Sequence, residues 1–218
     1  MSTRVTVVDY GIGNLYSVGR AFEKVGASVT LTDSPALIRN AERLVLPGVG
    51  AFAEGMEGLR RKRLVEPILA FHSSQRPMLG ICLGMQLLFE QSEEFGNHTG
   101  LGLIPGRIRA IPRRDGSGAA IRTPHIGWNV LRLPDNRQSW AHTVLNDCRP
   151  GDSMYFVHSF TAWPTDEFHR LADSEYCGQR ISAVVQVGSL SGCQFHPEKS
   201  GKTGLAVISA FLTLEQGR

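Results

Sequence analysis

The sequence predicts an α/β fold with a doubly wound, mostly parallel sheet, helices on both of its faces and an antiparallel extension. Over residues 1–90, short apolar runs alternate with segments whose apolar residues recur at helical spacing. Between residues 100 and 187, short strand-like runs are instead separated by Gly and Pro, as is typical of antiparallel pairing. A length of 218 residues favours a single domain over residues 1–218.

The first half of the chain supplies the parallel strands. Residues 5–8 are all β-branched, as expected for a strand that is buried on both faces. The apolar positions from Leu15 to Val25 then repeat at helical spacing, and Gly26 ends that helix. Further strands are predicted at 27–32, 43–46 and 78–81, and helices at 52–72, with a break near Pro67, and at 83–90.

The second half predicts shorter strands and one terminal helix. Strands are expected at 107–111, 128–133, 154–160, 181–187 and 192–196. The last helix presents an apolar face made of Leu205, Ile208, Phe211 and Leu212. The glycine-containing segment 113–124 is expected to form a mobile loop.

Composition and charge argue against several classes of function. The net charge of +3 is too small to predict binding to nucleic acid or to a membrane. The four cysteines lie far apart without a C-x-x-C pair, so we expect neither a metal site nor a dithiol redox site. Without a leader segment or a long apolar run, the chain reads as a cytoplasmic protein with free thiols, and no motif predicts a cofactor.

The segment GICLG, residues 80–84, has the G-x-C-x-G pattern of a nucleophile elbow with cysteine as the nucleophile. A sharp turn from strand to helix strains the backbone, which explains the flanking glycines. The N-terminus of the following helix stabilises a thiolate at Cys82, and the Leu83 N–H is placed to bind an oxyanion. The alternative is that Cys82 is a small buried core residue.

A thiol nucleophile needs a base, and the segment QFHPE supplies the best candidate. His196 follows a predicted strand, and Glu198 lies two residues further on, so both side chains can share one side of the backbone. A carboxylate beside an imidazole fixes its tautomer and raises its basicity. Cys82, His196 and Glu198 are therefore predicted as nucleophile, base and orienting acid; the alternative is a surface turn with a chance His and Glu.

Two glycine-rich turns remain. PGVG, residues 47–50, ends the third strand, and its glycines allow the Val49 N–H to complete an oxyanion hole; the alternative is an ordinary strand-ending turn. DYGIGNLYS, residues 9–17, begins like a dinucleotide fingerprint, but G-x-G-x-x-G would need glycine where Tyr16 stands. A phosphate-binding role is therefore not expected there.

The motifs PGVG, GICLGMQLLFE and GCQFHPEKS, in this order, resemble those of the class I (triad) glutamine amidotransferases. Three further motifs narrow this resemblance to one branch of the family, the glutaminase subunits of imidazole glycerol phosphate synthases. They are DYGIGNLYS, HIGWN and YFVHSF, which are similar to motifs of those subunits. The resemblance covers nearly the whole chain. It implies the flavodoxin-like sheet of that family.

The resemblance also implies a reaction. Cys82 attacks the side-chain amide of L-glutamine, a thioester forms, and glutamate and ammonia are released. Residues matching Gly50, Gln86, Ser159 and Phe160 hold the substrate in the family. Many relatives have tyrosine where Phe160 stands, so a contact through a hydroxyl group is lost here, whereas one through the backbone would survive.

A partner is implied as well. In the family, ammonia passes to a (β/α)₈ cyclase subunit, and the heterodimer makes imidazole glycerol phosphate and aminoimidazole carboxamide ribonucleotide for histidine biosynthesis. Residues matching Asn14, Trp128, Tyr155 and Lys199 lie near the contact with that subunit.

Three other hypotheses stay open at this point. The chain could serve another triad amidotransferase, for anthranilate, aminodeoxychorismate or pyridoxal phosphate synthesis, although GIGNLYS and GWN fit those families poorly. It could be a non-catalytic interaction subunit, for which the intact triad would be unnecessary. It could also be a cysteine hydrolase that acts on peptides or small esters.

Overall fold

The computed structural model describes residues 2–215. The strands are β1 (Arg4–Val8), β2 (Ser28–Thr32), β3 (Leu44–Gly48), β4 (Met78–Cys82), β5 (Phe89–Ser92), β6 (His98–Thr99), β7 (Ile104–Ala110), β8 (His125–Val130), β9 (Ser153–His158), β10 (Phe160–Pro164), β11 (Arg170–Tyr176), β12 (Gln179–Val187) and β13 (Leu190–Cys193). The helices are α1 (Leu15–Lys24), α2 (Pro35–Arg39), α3 (Phe52–Arg61), α4 (Val65–Ser73), α5 (Leu83–Leu87) and α6 (Gly201–Thr213), with 3-10 turns at Glu167–His169 and Pro197–Lys199.

Seven strands form the central sheet, in the order β11-β12-β13-β4-β3-β1-β2. Those from β13 to β2 run parallel, whereas β11 and β12 add an antiparallel edge. Strands β3 and β4 are buried at every position, as expected where both faces of a parallel sheet are covered. The predicted fold class is confirmed.

Two hydrophobic clusters join the sheet to its helices. Val45 of β3 belongs to one cluster and Leu46 to the other, because successive side chains of a strand point to opposite faces. In the first cluster, Phe22 of α1 meets Phe211 of α6 edge to face, with ring centroids 6.0 Å apart. The second cluster contains the apolar residues of α3, α4 and α5.

The antiparallel region differs from the prediction in its connections. Only β11 and β12 extend the central sheet. β10, β7, β5 and β6 form a separate four-stranded sheet, and β8 pairs with β9 alone. The strand predicted at 154–160 is in fact two strands that belong to different sheets and meet at Ser159. The sequence MYFVHSF contains neither Gly nor Pro and gave no signal of this crossing.

Several predicted boundaries were also wrong. The helix expected at 52–72 is interrupted at residues 62–64, where Arg63 has a φ of +57°, whereas Pro67 lies within α4. Proline is tolerated in the first turn of a helix, because the N–H it lacks would have no partner there. The helix predicted at 83–90 stops at Leu87, and the chain turns directly into β5. β5, β6, β10, β11 and α2 were not predicted.

Residues 113–124 form a small hairpin-like loop. Its backbone bridges Arg114 to Ala120, and the Asp115 carboxylate accepts hydrogen bonds from the N–H groups of Ser117 and Ala119, both at 2.9 Å. The Tyr176 hydroxyl donates to the Arg122 carbonyl at 2.8 Å and fastens the segment to β11. That the segment is mobile stays a prediction.

Candidate active site

Three neighbouring parallel strands bring the candidate catalytic residues to one edge of the sheet. β3 ends at Gly48, which is paired in register with Cys82 at the end of β4. On the other side of β4, Cys193 of β13 pairs with Ile81, and the chain continues from there to His196. The carboxyl ends of parallel strands are where open α/β sheets place their sites.

Cys82 sits in a strained turn between β4 and α5. Its φ of +55° and ψ of −110° are rare for a residue with a side chain. A Cβ on Gly80 would lie 2.8 Å from the backbone of Met85, and one on Gly84 would collide with the Leu46 carbonyl oxygen. Both glycines of G-x-C-x-G are therefore required so that α5 can pack directly against the strands.

His196 and Glu198 form a buried pair behind the cysteine. The His196 Nδ1 lies 2.8 Å from the Glu198 Oε1, and both side chains are almost inaccessible to solvent. Burial alone would lower the pKa of His196, but its hydrogen bonds with Cys82 and Glu198 outweigh that effect and raise the pKa to about 10. Because Nδ1 is engaged by the carboxylate, Nε2 is the ring nitrogen that remains available to Cys82.

A cavity of about 280 Å³ opens over Cys82 and collects the predicted substrate residues. It is lined by Cys82 and His196, by the predicted oxyanion-hole residues Val49 and Leu83, and by Gly50, Gln86, Ser159 and Phe160. These residues come from four separate parts of the chain, so the cavity exists only in the folded protein. Their assigned roles stay predictions.

Gln86 is a buried member of this cavity and not a solvated helix position. Its Nε2 donates to the Phe160 carbonyl at 3.1 Å and to the Gln194 Oε1 at 3.0 Å. The Gln194 Nε2 in turn lies 3.9 Å from the Cys82 Sγ. Gln194 was not singled out by sequence reasoning, although it lies two residues before His196, just after the end of β13.

Two further residues of the cavity were missed. Glu94 lines it, its carboxylate accepts the Phe52 N–H at 2.6 Å, and burial raises its pKa. His158 also lines it; it precedes Ser159 within the quoted motif YFVHSF, which is a signal that could have been used. Glu94 lies in a segment without any recognisable spacing.

The opening loop supports the PGVG turn from behind. The buried Tyr10 hydroxyl donates to the Pro47 carbonyl at 2.7 Å, and a Cβ on Gly48 would collide with that hydroxyl. Asn14 caps α1 by accepting the Ser17 N–H at 3.2 Å. The loop therefore joins a strand to a helix and holds PGVG in place.

The four predicted interface residues lie on the same side of the molecule as the triad. Trp128 of β8, 58% exposed, meets Tyr155 of β9 with ring centroids 5.9 Å apart. The Tyr155 carbonyl accepts the His196 N–H at 2.9 Å. Asn14 and Lys199 border a narrow cavity beside Glu198. Their role in partner binding stays a prediction.

Between residues 2 and 215, none of the helices has the length and apolar character that crossing a membrane requires.

Several known proteins are similar to this chain. The chain matches the profile described as Glutamine amidotransferase class-I over residues 6–213. It is 50% identical over 210 residues to imidazole glycerol phosphate synthase subunit HisH 1 of Legionella pneumophila (strain Lens), which covers 96% of this chain and 99% of that protein. It is 44% identical over 208 residues to the subunit HisH of Syntrophotalea carbinolica, with coverage of 95% and 98%.

A solved structure described as a glutamine amidotransferase superposes with a TM-score of 0.71 over 96% of this chain and 97% of that one, at 15% sequence identity. At that identity the likeness shows the fold alone. The profile match and the two relatives show that the chain belongs to the class I glutamine amidotransferases and, within them, to the HisH subunits of imidazole glycerol phosphate synthase.

Proposed function

We propose that this chain hydrolyses L-glutamine to glutamate and ammonia through a thioester on Cys82. The observation that carries the proposal is the cysteine in its strained turn, served by a buried imidazole whose other nitrogen is held by Glu198. A binding role alone would need neither the strain nor the buried ion pair. General acid–base catalysis by such a histidine typically contributes about 10²–10⁴-fold to a rate.

The steps follow from these positions. The Cys82 Sγ attacks the side-chain amide carbon, and the Leu83 and Val49 N–H groups bind the oxygen as it gains charge. His196 gives its proton to the amide nitrogen, the C–N bond breaks, and ammonia leaves. His196 then takes a proton from water, whose oxygen displaces the sulfur from the thioester and yields glutamate.

Substrate binding is assigned to the far wall of the cavity. Gln86 is fixed by its bonds to Phe160 and Gln194, and Ser159, Phe160 and Gly50 also line the cavity. We add Glu94 as the group that binds the α-ammonium of glutamine, because a buried carboxylate with a raised pKa gains most from a cationic ligand.

We also infer a heterodimer with a (β/α)₈ cyclase subunit, which uses the ammonia to make imidazole glycerol phosphate and aminoimidazole carboxamide ribonucleotide in histidine biosynthesis. Support comes from the relatives, each named as a subunit of that synthase, and from the exposed Trp128, which packs against the half-buried Tyr155. We further propose a single domain over residues 1–218 and a cytoplasmic location, in keeping with four free cysteines.

The test is Cys82→Ala assayed with the cyclase subunit. We expect glutamine-dependent synthesis to be lost and ammonia-dependent synthesis to remain, because only the nucleophile is removed. Cys177→Ala, at an exposed cysteine, is the matched control and should behave like the wild type. A glutamine-analogue electrophile should label the wild type and Cys177→Ala but not Cys82→Ala. Glutamine-dependent turnover by Cys82→Ala would contradict the proposal.

A further inference from the structure

Two buried histidines outside the triad contact each other at the wall of the cavity. His125 of β8 and His158 of β9 are register partners, and the His125 Nδ1 lies 3.0 Å from the His158 Nε2. Both are buried, with exposures of 2% and 6%. The His125 ring is stacked between Tyr176 and Phe156, with centroids 4.1 Å and 5.1 Å away.

The hydrogen-bond partners define which nitrogens carry protons. The His158 Nδ1 is 2.8 Å from the Phe160 carbonyl, which only accepts, so Nδ1 is the protonated nitrogen. The His158 Nε2 therefore accepts, and the His125 Nδ1 donates to it. The His125 Nε2 then faces the Asn129 amide, which lies 3.5 Å away and donates.

Both rings are held in the neutral form. Burial lowers the pKa of His125 to about 4. Burial lowers the pKa of His158 to about 3, and the neighbouring His125 and His196 add to that shift while the Phe160 carbonyl opposes it. A protonated ring in either place would set two N–H groups against each other.

Through His158, the pair contacts the peptide that passes from one sheet to another. β9 ends at His158 and β10 begins at Phe160, and these strands belong to different sheets. The Phe160 carbonyl accepts from both His158 and Gln86, and the Ser159 carbonyl accepts the Ile111 N–H at 2.9 Å. The crossing peptide is therefore held from both sides where it lines the cavity.

We propose that the neutral His125–His158 pair positions the Ser159–Phe160 segment for glutamine, with His158 as the residue that fixes the carbonyl and His125 as the residue that fixes the tautomer of His158. This inference rests on the proposed function of the cavity. It also explains why His158, though close to Cys82, is not the base: both of its ring nitrogens are occupied.

Two substitutions of His158 test the contributions of its two ring nitrogens one at a time. In His158→Asn the amide nitrogen takes the place of Nδ1 and keeps the bond to Phe160, whereas in His158→Gln it takes the place of Nε2 and loses that bond. We expect His158→Gln to raise the KM for glutamine about tenfold, the loss of roughly one well-formed hydrogen bond. We expect His158→Asn to stay within about threefold of the wild type, and ammonia-dependent synthesis to be unchanged in both.

The assay is glutamine-dependent synthesis by the complex, with thermal melting to confirm that each variant is folded. Equal KM values in the two variants, or an unchanged KM in His158→Gln, would overturn the inference. A second readout needs no variant: the ¹⁵N spectrum of the wild-type chain should show His158 as the Nδ1–H tautomer and both rings neutral at pH 7. An Nε2–H tautomer for His158 would also overturn it.

The two proposals fail in different ways. If the wild-type complex cannot use glutamine at all, the proposed function is wrong, and the role assigned to the pair is wrong with it. If the wild type uses glutamine and the His158 variants do not differ, only the positioning role is wrong.

Discussion

The proposed nucleophile Cys82 is positioned by residues that have no side chain as much as by those that do. Gly84 lies against the Leu46 carbonyl and Gly80 against the backbone of Met85, so α5 begins closer to the sheet than any other residue would allow. The strain at Cys82 is the consequence of that close approach. The elbow is thus held by packing of backbone on backbone.

Substitution of Gly84 by Ala should destabilise the protein. The added Cβ overlaps the Leu46 carbonyl, which cannot move without displacing β3, and overpacking of this kind costs about 3 kcal/mol. Denaturant unfolding measures the effect. Gly116→Ala is the control, since nothing lies within 4 Å of a Cβ there. A Gly84→Ala variant as stable as Gly116→Ala would show that the elbow can relax.

The charge state of His196 should depend on Glu198. In the wild type the pKa of His196 is raised from 6.5 to about 10. In Glu198→Gln the imidazole keeps a hydrogen-bond partner but loses its carboxylate, so the pKa should fall. NMR titration of the His196 ring measures this, with Glu93→Gln, an exposed carboxylate paired with Arg107, as the control.

The same shift affects stability in a defined direction. Because folding raises the pKa of His196, its stabilising contribution is complete below pH 6.5 and is lost as the pH rises toward 10. In Glu198→Gln, the loss of stability between pH 6.5 and 10 should be smaller than in the wild type. A stability profile between pH 6.5 and 10 that is the same in both proteins would contradict the assigned coupling.

At the scale of elements, the parallel half of the fold was predictable and the antiparallel half was not. A run such as residues 5–8 is buried on both faces and carries its own signature in β-branched residues. The crossing at Ser159 has no local signature, because β9 and β10 are separated only by pairing with different partners, β8 and β7. Such partners lie far away in sequence.

The residues of the candidate site also divide into those with a local sequence pattern and those without one. Cys82, His196 and Glu198 were predictable, because a strained elbow and a His-x-Glu spacing are local patterns. Glu94 was missed because it reaches the site through a tertiary contact with Phe52, from a segment without a recognisable pattern. His158 and Gln194 adjoin predicted site residues in sequence, but their contacts with His125 and Gln86 appear only in the folded chain.

The N-terminus of α1 offers a test of the opening loop. Asn14→Ala removes the cap on the Ser17 N–H and should lower the free energy of unfolding by about 1 kcal/mol. Asn14→Ser keeps a capping oxygen and should leave the stability unchanged. If Asn14 also contacts the cyclase, both variants should weaken the stimulation of glutaminase activity by that subunit. Full stimulation in Asn14→Ser would limit Asn14 to its structural role as a cap.

For the whole molecule, several exposed apolar side chains lie on elements that adjoin the triad. Tyr16, Val49, Ile126 and Trp128 are all exposed on elements that adjoin it. Exposed aromatic groups of this kind favour protein contacts, in which Trp and Tyr contribute much of the binding energy. The site of ammonia release and the surface for a partner would then coincide.

Trp128→Ala should weaken binding of the cyclase subunit by about 2 kcal/mol, the usual loss for a central aromatic residue. Glutaminase activity at saturating cyclase should be retained. Isothermal titration calorimetry measures the affinity. Leu37→Ala removes a comparably exposed apolar side chain, 52% accessible, from α2, and is the control. Equal affinities of the two variants for the cyclase subunit would show that Trp128 is not part of the interface.

The position of β13 has a consequence for how the protein is made. This strand is the last along the chain among the described residues, yet it lies inside the central sheet, between β4 and β12. A ribosome therefore completes the elbow at Cys82 more than a hundred residues before it completes the base at His196. If Cys82 and His196 act as proposed, the nascent chain holds a nucleophile without a base until the final strand inserts, and unfinished protein would not consume glutamine.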